Sequence, residues 1–150
     1  MAELNAPLAG EMSGHIFFAD EYYGFDDAMY AALRLLRILT QSGVRLDELR
    51  DNLPLMFNTP ELRFECPDEK KFMIVDLVRQ RLKSAGKVDI CEIDGVRVET
   101  EYGWWLLRAS NTQPALVARC ESNSEEGLAQ LKGELGELLM LSGINPVNLL

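Results

Sequence analysis

Two short stretches concentrate groups able to bind a ligand or move a proton. Residues 10 to 15 read GEMSGH and hold the only histidine of the chain. Glu11 offers an acceptor, Ser13 a hydroxyl that donates or accepts, and His15 an imidazole that gains or loses a proton near neutral pH. Gly10 and Gly14 permit close approach to the backbone. Such a set suits a polyhydroxylated ligand, and it equally suits a polar turn ahead of a strand in which His15 is merely hydrogen-bonded.

Residues 108 to 114 read RASNTQP. Arg108 presents a fork of donors that matches a phosphate, while Ser110, Asn111, Thr112 and their backbone N–H groups can ring its remaining oxygens. Each charged hydrogen bond in such a cradle contributes about 1.5 to 3 kcal/mol. The plainer alternative is an Asn-Thr hairpin turn beside a surface arginine. Other polar clusters carry less: PDEKK (67–71) and NSEEG (123–127) are helix starts bearing solvated charge, with no function assigned. Trp104 and Trp105, adjacent in a strand, point to opposite faces, one into the core and one over an edge.

The elements that must position these loops follow from periodicity. HIFFAD is a short buried strand, and GFDDAMYAALRLLRILTQSG is an amphipathic helix with Met29, Leu33, Leu36 and Leu39 on its inner side. Asp26 and Asp27 suit its N-terminal end and Gly43 its left-handed end. A shorter helix follows in RLDELRDNLP, with Asp47 as cap and Leu46, Leu49 and Leu53 on one side, stopped by Pro54. This first part, one strand without an obvious neighbour and two helices, is half a domain.

A boundary is expected near residues 54 to 60, where the period switches to two: Leu62, Phe64 and Cys66 alternate with Glu61, Arg63 and Glu65. A helix with Phe72, Val75, Val78 and Leu82 inward then runs to Gly86. Four β-prone runs, VDICEI, GVRVET, WWLLRAS and ALVARCE, are separated by Asp94-Gly95, Tyr102-Gly103 and NTQP. The last helix spans about Ser124 to Leu141, capped by Asn123 with Glu126, and packs through Leu128, Leu131, Leu135, Leu138 and Leu139. The second part is therefore an α+β domain of order βαββββα.

Composition narrows the function classes. At 150 residues, with 47% hydrophobic and 26% charged side chains, the chain is globular. Its net charge of -9 argues against nucleic acid and anionic membranes as partners. Without a signal segment or an apolar span, a cytoplasmic location is expected. Cys66, Cys91 and Cys120 are expected to be reduced core thiols, since no paired spacing or second histidine completes a metal site.

Taken in order, GEMSGH, GFDDAMYAALRLL, DGVRV and RASNTQPALVARCES resemble the C-terminal part of the α-D-phosphohexomutases, closest to their bacterial phosphomannomutase/phosphoglucomutase branch. The resemblance runs from about Leu8 to the last helix. Related phosphoglucosamine mutases tend to carry glutamine at the place of Met12 and Ser-Gly-Thr at that of Ser110, Asn111 and Thr112, so both positions favour the phosphomannomutase branch.

The resemblance implies a multidomain enzyme whose first domain carries a phosphoserine and whose second carries an aspartate loop for Mg²⁺. It further implies that residues 1–55 are an incomplete α/β remnant of domain 3, and that residues 56–150 are a complete domain 4 with two helices on one face of an antiparallel sheet, like the TATA-box-binding protein. By the same resemblance Glu11 and Ser13 bind sugar hydroxyls, His15 takes part in proton transfer, and Arg108, Ser110, Asn111 and Thr112 grip the non-reacting phosphate of a phosphorylated hexose. Neither the phosphoserine loop nor the metal loop is in the chain, so a fragment, inactive alone and without a cofactor of its own, is expected. Its parent would interconvert hexose 6-phosphate and hexose 1-phosphate, with the missing domains 1 to 3 as its partners. The alternatives are a non-catalytic sugar-phosphate-binding or protein-interaction module, and a fragment of a phosphoglucosamine mutase. Residues 1 to 25 are expected to be mobile.

Overall fold

The structure, a computed structural model, describes residues 1–11, 13–86 and 89–149. It divides into two compact units, Met1–Leu53 and Pro54–Leu150. Met12, singled out as a branch marker, and Val88, the expected start of the VDICEI strand, lie outside the described residues.

In the first unit, β1 (Leu8–Gly10) pairs antiparallel with β2 (Ile16–Phe18), with Gly10 opposite Ile16. The expectation that the HIFFAD strand has no neighbour is corrected: the N-terminal segment itself folds back on it. Helix α1 (Ala28–Ser42) is capped by Asp27, whose Oδ1 accepts from Tyr30 N, and ends at Gly43 in the left-handed region. Helix α2 (Leu46–Asp51) starts from Arg45, not from an Asp47 cap, because Asp47 already lies in its first turn, ion-paired to Arg45 at 2.7 Å.

Aromatic and guanidinium contacts hold this unit together. Tyr22 and Tyr30 stack at 3.8 Å, and Arg34 lies over the Phe18 ring at 4.6 Å while pairing with Asp20 at 2.9 Å. The Tyr22 hydroxyl donates to Asp27, which pushes its pKa up to about 12 and holds the Asp27 carboxyl below its ordinary range. The inward stripe read for α1 is not buried: Met29 is 80% and Leu33 62% exposed. A two-stranded ribbon and two helices enclose too little volume to cover it.

The second unit is one antiparallel sheet with two helices. Strands β3 (Phe57–Asn58) and β4 (Leu62–Glu65) both pair with β8 (Ala115–Ser122). Between them the register slips by one residue, from Asn58 opposite Glu121 to Leu62 opposite Ala118. This is a bulge at Thr59-Pro60-Glu61, placed where proline has no N–H to give. Buried Thr59 bridges it, its N–H donating to Cys120 O and its Oγ1 accepting from Cys120 N. The sheet continues from β8 through β7 (Gly103–Ala109) and β6 (Val96–Thr100) to β5 (Asp89–Cys91).

Alternation sends Val96, Val98, Trp105, Leu107, Leu116, Ala118 and Cys120 to one face, where α3 (Asp68–Ala85) and α4 (Glu125–Leu141) cover them. Helix α3 buries Lys71, Ile74, Val75, Val78 and Leu82. Its stripe is therefore rotated from the expected one: Phe72 is 57% exposed, and Lys71 takes an inner position. Helix α4 packs through Leu131, Leu135 and Leu139, flanked by Leu128 and Leu138. It is capped by Ser124 rather than Asn123, with Ser124 Oγ accepting from Gly127 N at 3.0 Å.

Trp105 is fully buried, donating from Nε1 to Glu134, whereas Trp104 lies on the open face beneath Arg97. Cys66 and Cys120 are buried, and burial pushes the Cys120 thiol up to about 12. Cys91 corrects the expectation of three core thiols: on edge strand β5, opposite Arg97, it faces outward and is exposed.

Candidate functional site

Each polar loop closes a hairpin of its own unit. Glu11 to His15 connects β1 to β2. Its backbone is pinned by Glu11 N–H donating to His15 O at 2.9 Å and Gly14 N–H donating to Glu11 O at 3.0 Å. Ser13 Oγ donates to Glu11 Oε2 at 3.0 Å, so a carboxylate and a hydroxyl stand together and exposed on the turn.

His15 meets Asp26 at 2.6 Å through Nδ1, a contact set up by a backbone bridge between Phe17 and Asp26. The hydrogen bond and charge of Asp26 hold the His15 pKa above its ordinary 6.5. The ring is thereby oriented by a carboxylate at one nitrogen, an arrangement that a general acid or base can use. The sequence marks Asp26 only as a helix-start residue, and nothing in its spacing from His15 betrays the pair.

The second loop closes β7 onto β8 at the end of the sheet that also carries the Asp94-Gly95 turn and the N-terminus of α3. Ser110 is buried: its N–H donates to Ala115 O at 2.9 Å, and its Oγ accepts from Gln113 N at 3.2 Å. In the free chain Ser110 thus braces the loop from inside, while Asn111 and Thr112 are exposed at its tip.

Arg108, one-third exposed at the end of β7, reaches Asp94 Oδ2 at 3.5 Å, a loose contact that leaves most of its guanidinium donors for a ligand. Gly95 makes that reach feasible: its φ is +79°, and a Cβ there would collide with Leu107 O and lie 2.7 Å from Arg108 Cβ. Asp94, Gly95, Ala109 and Asn111 line a small cavity of about 140 Å³ beside the loop, closed by Phe72, Val75, Asp76 and Arg79.

Two further groups hold the loop. Arg63 donates to the Gln113 side-chain oxygen, and Lys71 Nζ donates to the Gln113 backbone oxygen at 3.2 Å. The expectation that the PDEKK charges are all solvated is corrected at Lys71, which is 5% exposed. A position one turn into a helix, flanked by three other charged residues, gives no sign of this in the sequence. A wider cleft of about 690 Å³ between α3 and α4 borders the Tyr102-Gly103 turn, at the other end of the sheet, and contains none of these residues.

Among the described residues no three Asp, Glu, His or Cys side chains converge as metal ligands, and no helix is long and apolar enough to cross a membrane. By side-chain type and placement, the first loop can exchange a proton and meet hydroxyl groups, and the second can meet an anion.

Comparison with known proteins places both units. Residues 61–138 match the family model described as phosphoglucomutase/phosphomannomutase, C-terminal domain, and residues 1–57 match its alpha/beta/alpha domain III. The chain is 45% identical over 132 residues to a phosphomannomutase/phosphoglucomutase of Pseudomonas putida, covering 88% of this chain and 28% of that protein. A phosphoglucomutase of Neisseria meningitidis serogroup A is 40% identical over 135 residues, 89% of this chain and 29% of its own length. A crystal structure of a phosphoglucomutase/phosphomannomutase family protein from Burkholderia thailandensis superposes with a TM-score of 0.81 at 39% identity, covering 95% of this chain and 30% of that one.

Proposed function

The chain belongs to the phosphoglucomutase/phosphomannomutase family and corresponds to its C-terminal part, and we propose that it is the substrate-gripping portion of an enzyme interconverting hexose 6-phosphate and hexose 1-phosphate. In this reading residues 1–55 belong to domain 3 and residues 56–150 form domain 4. The observation that carries it is the β7–β8 loop, a preorganised hairpin end with an available guanidinium and exposed Asn111 and Thr112. Arg108, Ser110, Asn111 and Thr112 hold the non-reacting phosphate, Glu11 and Ser13 read sugar hydroxyls, and His15, oriented by Asp26, donates or accepts a proton at a sugar oxygen. The enzyme works in the cytoplasm.

Magnesium, which the family reading supplies from another domain, finds no fitting site among the described residues: the His15–Asp26 pair falls far short of the octahedral oxygen set Mg²⁺ demands. In this reading turnover needs the phosphoserine and the metal loop of the other domains, and the chain by itself does not turn over. Splitting reacting groups between molecules forfeits roughly 7 to 11 kcal/mol of positioning.

The test is a titration of ¹⁵N-labelled chain with glucose 1-phosphate and with inorganic phosphate. Amide shifts centred on residues 108–113, lost in Arg108→Ala, are expected; shifts unchanged by that substitution refute the phosphate assignment. A coupled mutase assay on the same sample is expected to read zero, and Mg²⁺-dependent turnover would overturn the inactivity.

A further inference from the structure

Among the described residues Lys71 is the only buried side chain of the Asp, Glu, Lys and Arg classes. Ammonium groups leave water only at substantial cost unless their donors are matched. Asp68, 66% exposed and 2.7 Å from Nζ, does not account for the burial, since that pair would form equally well at the surface. What burial adds is Gln113: Lys71 Nζ donates to its backbone oxygen across the gap between α3 and the β7–β8 loop.

Gln113 is the residue on which the loop's internal contacts converge. Its N–H donates to buried Ser110 Oγ, its oxygen also accepts from Ala115 N at 2.8 Å, and its side chain accepts from Arg63. The following residue, Pro114, has no N–H, so the peptide between them presents only its oxygen to whatever faces it. Left with the Ala115 N–H alone, that oxygen is freer to turn towards an incoming anion and repel it.

We propose that Lys71 is a positioning residue for phosphate: it keeps the Gln113 carbonyl turned into the protein and sets a positive charge behind the loop whose tip receives the anion. This rests on the phosphate reading of residues 108–113. The role differs from that of Arg108, which touches the ligand; Lys71 acts through the peptide it holds.

Inorganic phosphate is titrated at low salt into labelled chain carrying Lys71, Lys71→Met or Lys71→Arg, following amide shifts and hydrogen exchange of the sheet. Lys71→Met is expected to weaken phosphate about tenfold while β6 to β8 keep their protection, and Lys71→Arg to recover most of the loss, because both charge and donors return. In the unsubstituted chain the Lys71 Nζ resonance is expected to shift with the same midpoint as the amides of residues 111–113, a readout that needs no variant to fold. Unchanged affinity in Lys71→Met, or a silent Nζ signal beside responding amides, overturns the inference alone. If those amides never respond in the unsubstituted chain, the phosphate reading falls and takes this inference with it.

Discussion

His15 shows how little of a site's chemistry resides in one residue type. Its imidazole is exposed, and what distinguishes it is Asp26 at 2.6 Å, delivered by a backbone bridge that no periodicity reveals. The folded pKa is raised, so the pair's contribution is complete below the unfolded value near 6.5 and is lost as pH climbs through the folded one. An NMR titration of the ring is expected to give a midpoint above 6.5, falling towards it in Asp26→Asn; an identical midpoint in both proteins contradicts the assignment. The thiols give a second check at this scale. Cys91 is exposed, while Cys66 and Cys120 are buried and desolvation raises both their pKa values. A disulfide reagent is expected to label only Cys91 in native protein and all three after unfolding; fast native labelling of Cys120 would mean the sheet opens.

Elements were legible wherever burial on one face dictates a period. The β-prone runs, the turns at Asp94-Gly95 and Tyr102-Gly103, and the α4 leucines follow from alternation and helical spacing alone. The rotation of α3 is not legible, because Lys71 and Phe72 are neighbours whose exchange of inner and outer places depends on a loop 42 residues away. The groups proposed to hold phosphate are legible by type, but their supports Asp94, Arg63 and Lys71 are not, since each acts through a contact distant in sequence. Two substitutions probe this level. Gly95→Ala must place a Cβ against the Leu107 carbonyl in a left-handed conformation, which costs at least about 2 kcal/mol. It should lower the urea midpoint and also disturb Arg108, so a variant of unaltered stability would show that the turn is freer than it stands. Leu135→Ala, emptying a fully buried α4 position, is expected to cost about 2 to 5 kcal/mol in unfolding followed by Trp105 fluorescence, with less than 1 arguing that α4 packs loosely.

At the scale of the whole molecule the two units differ in the means of their stability. The second encloses a continuous core of strand and helix residues, several with no exposure at all. In the first, no described residue is buried, and its order rests on the Tyr22–Tyr30 stack, the Arg34 contacts and the hairpin ladder. Surface ion pairs and single aromatic contacts contribute of order 1 kcal/mol each, against the larger return from buried aliphatic area. The units should consequently open at different free energies. Native-state hydrogen exchange is expected to release the amides of β1, β2 and α1 well before those of β7 and β8, with equal protection contradicting the difference. The same exposed stripe, Met29, Leu33 and Leu36 on α1, makes a contiguous apolar surface that water disfavours. Sedimentation should show concentration-dependent self-association that Leu33→Lys with Leu36→Lys removes, both replacements being good helix formers. If the unsubstituted chain stays monomeric at every concentration, the α1 stripe is too small to drive a contact between copies.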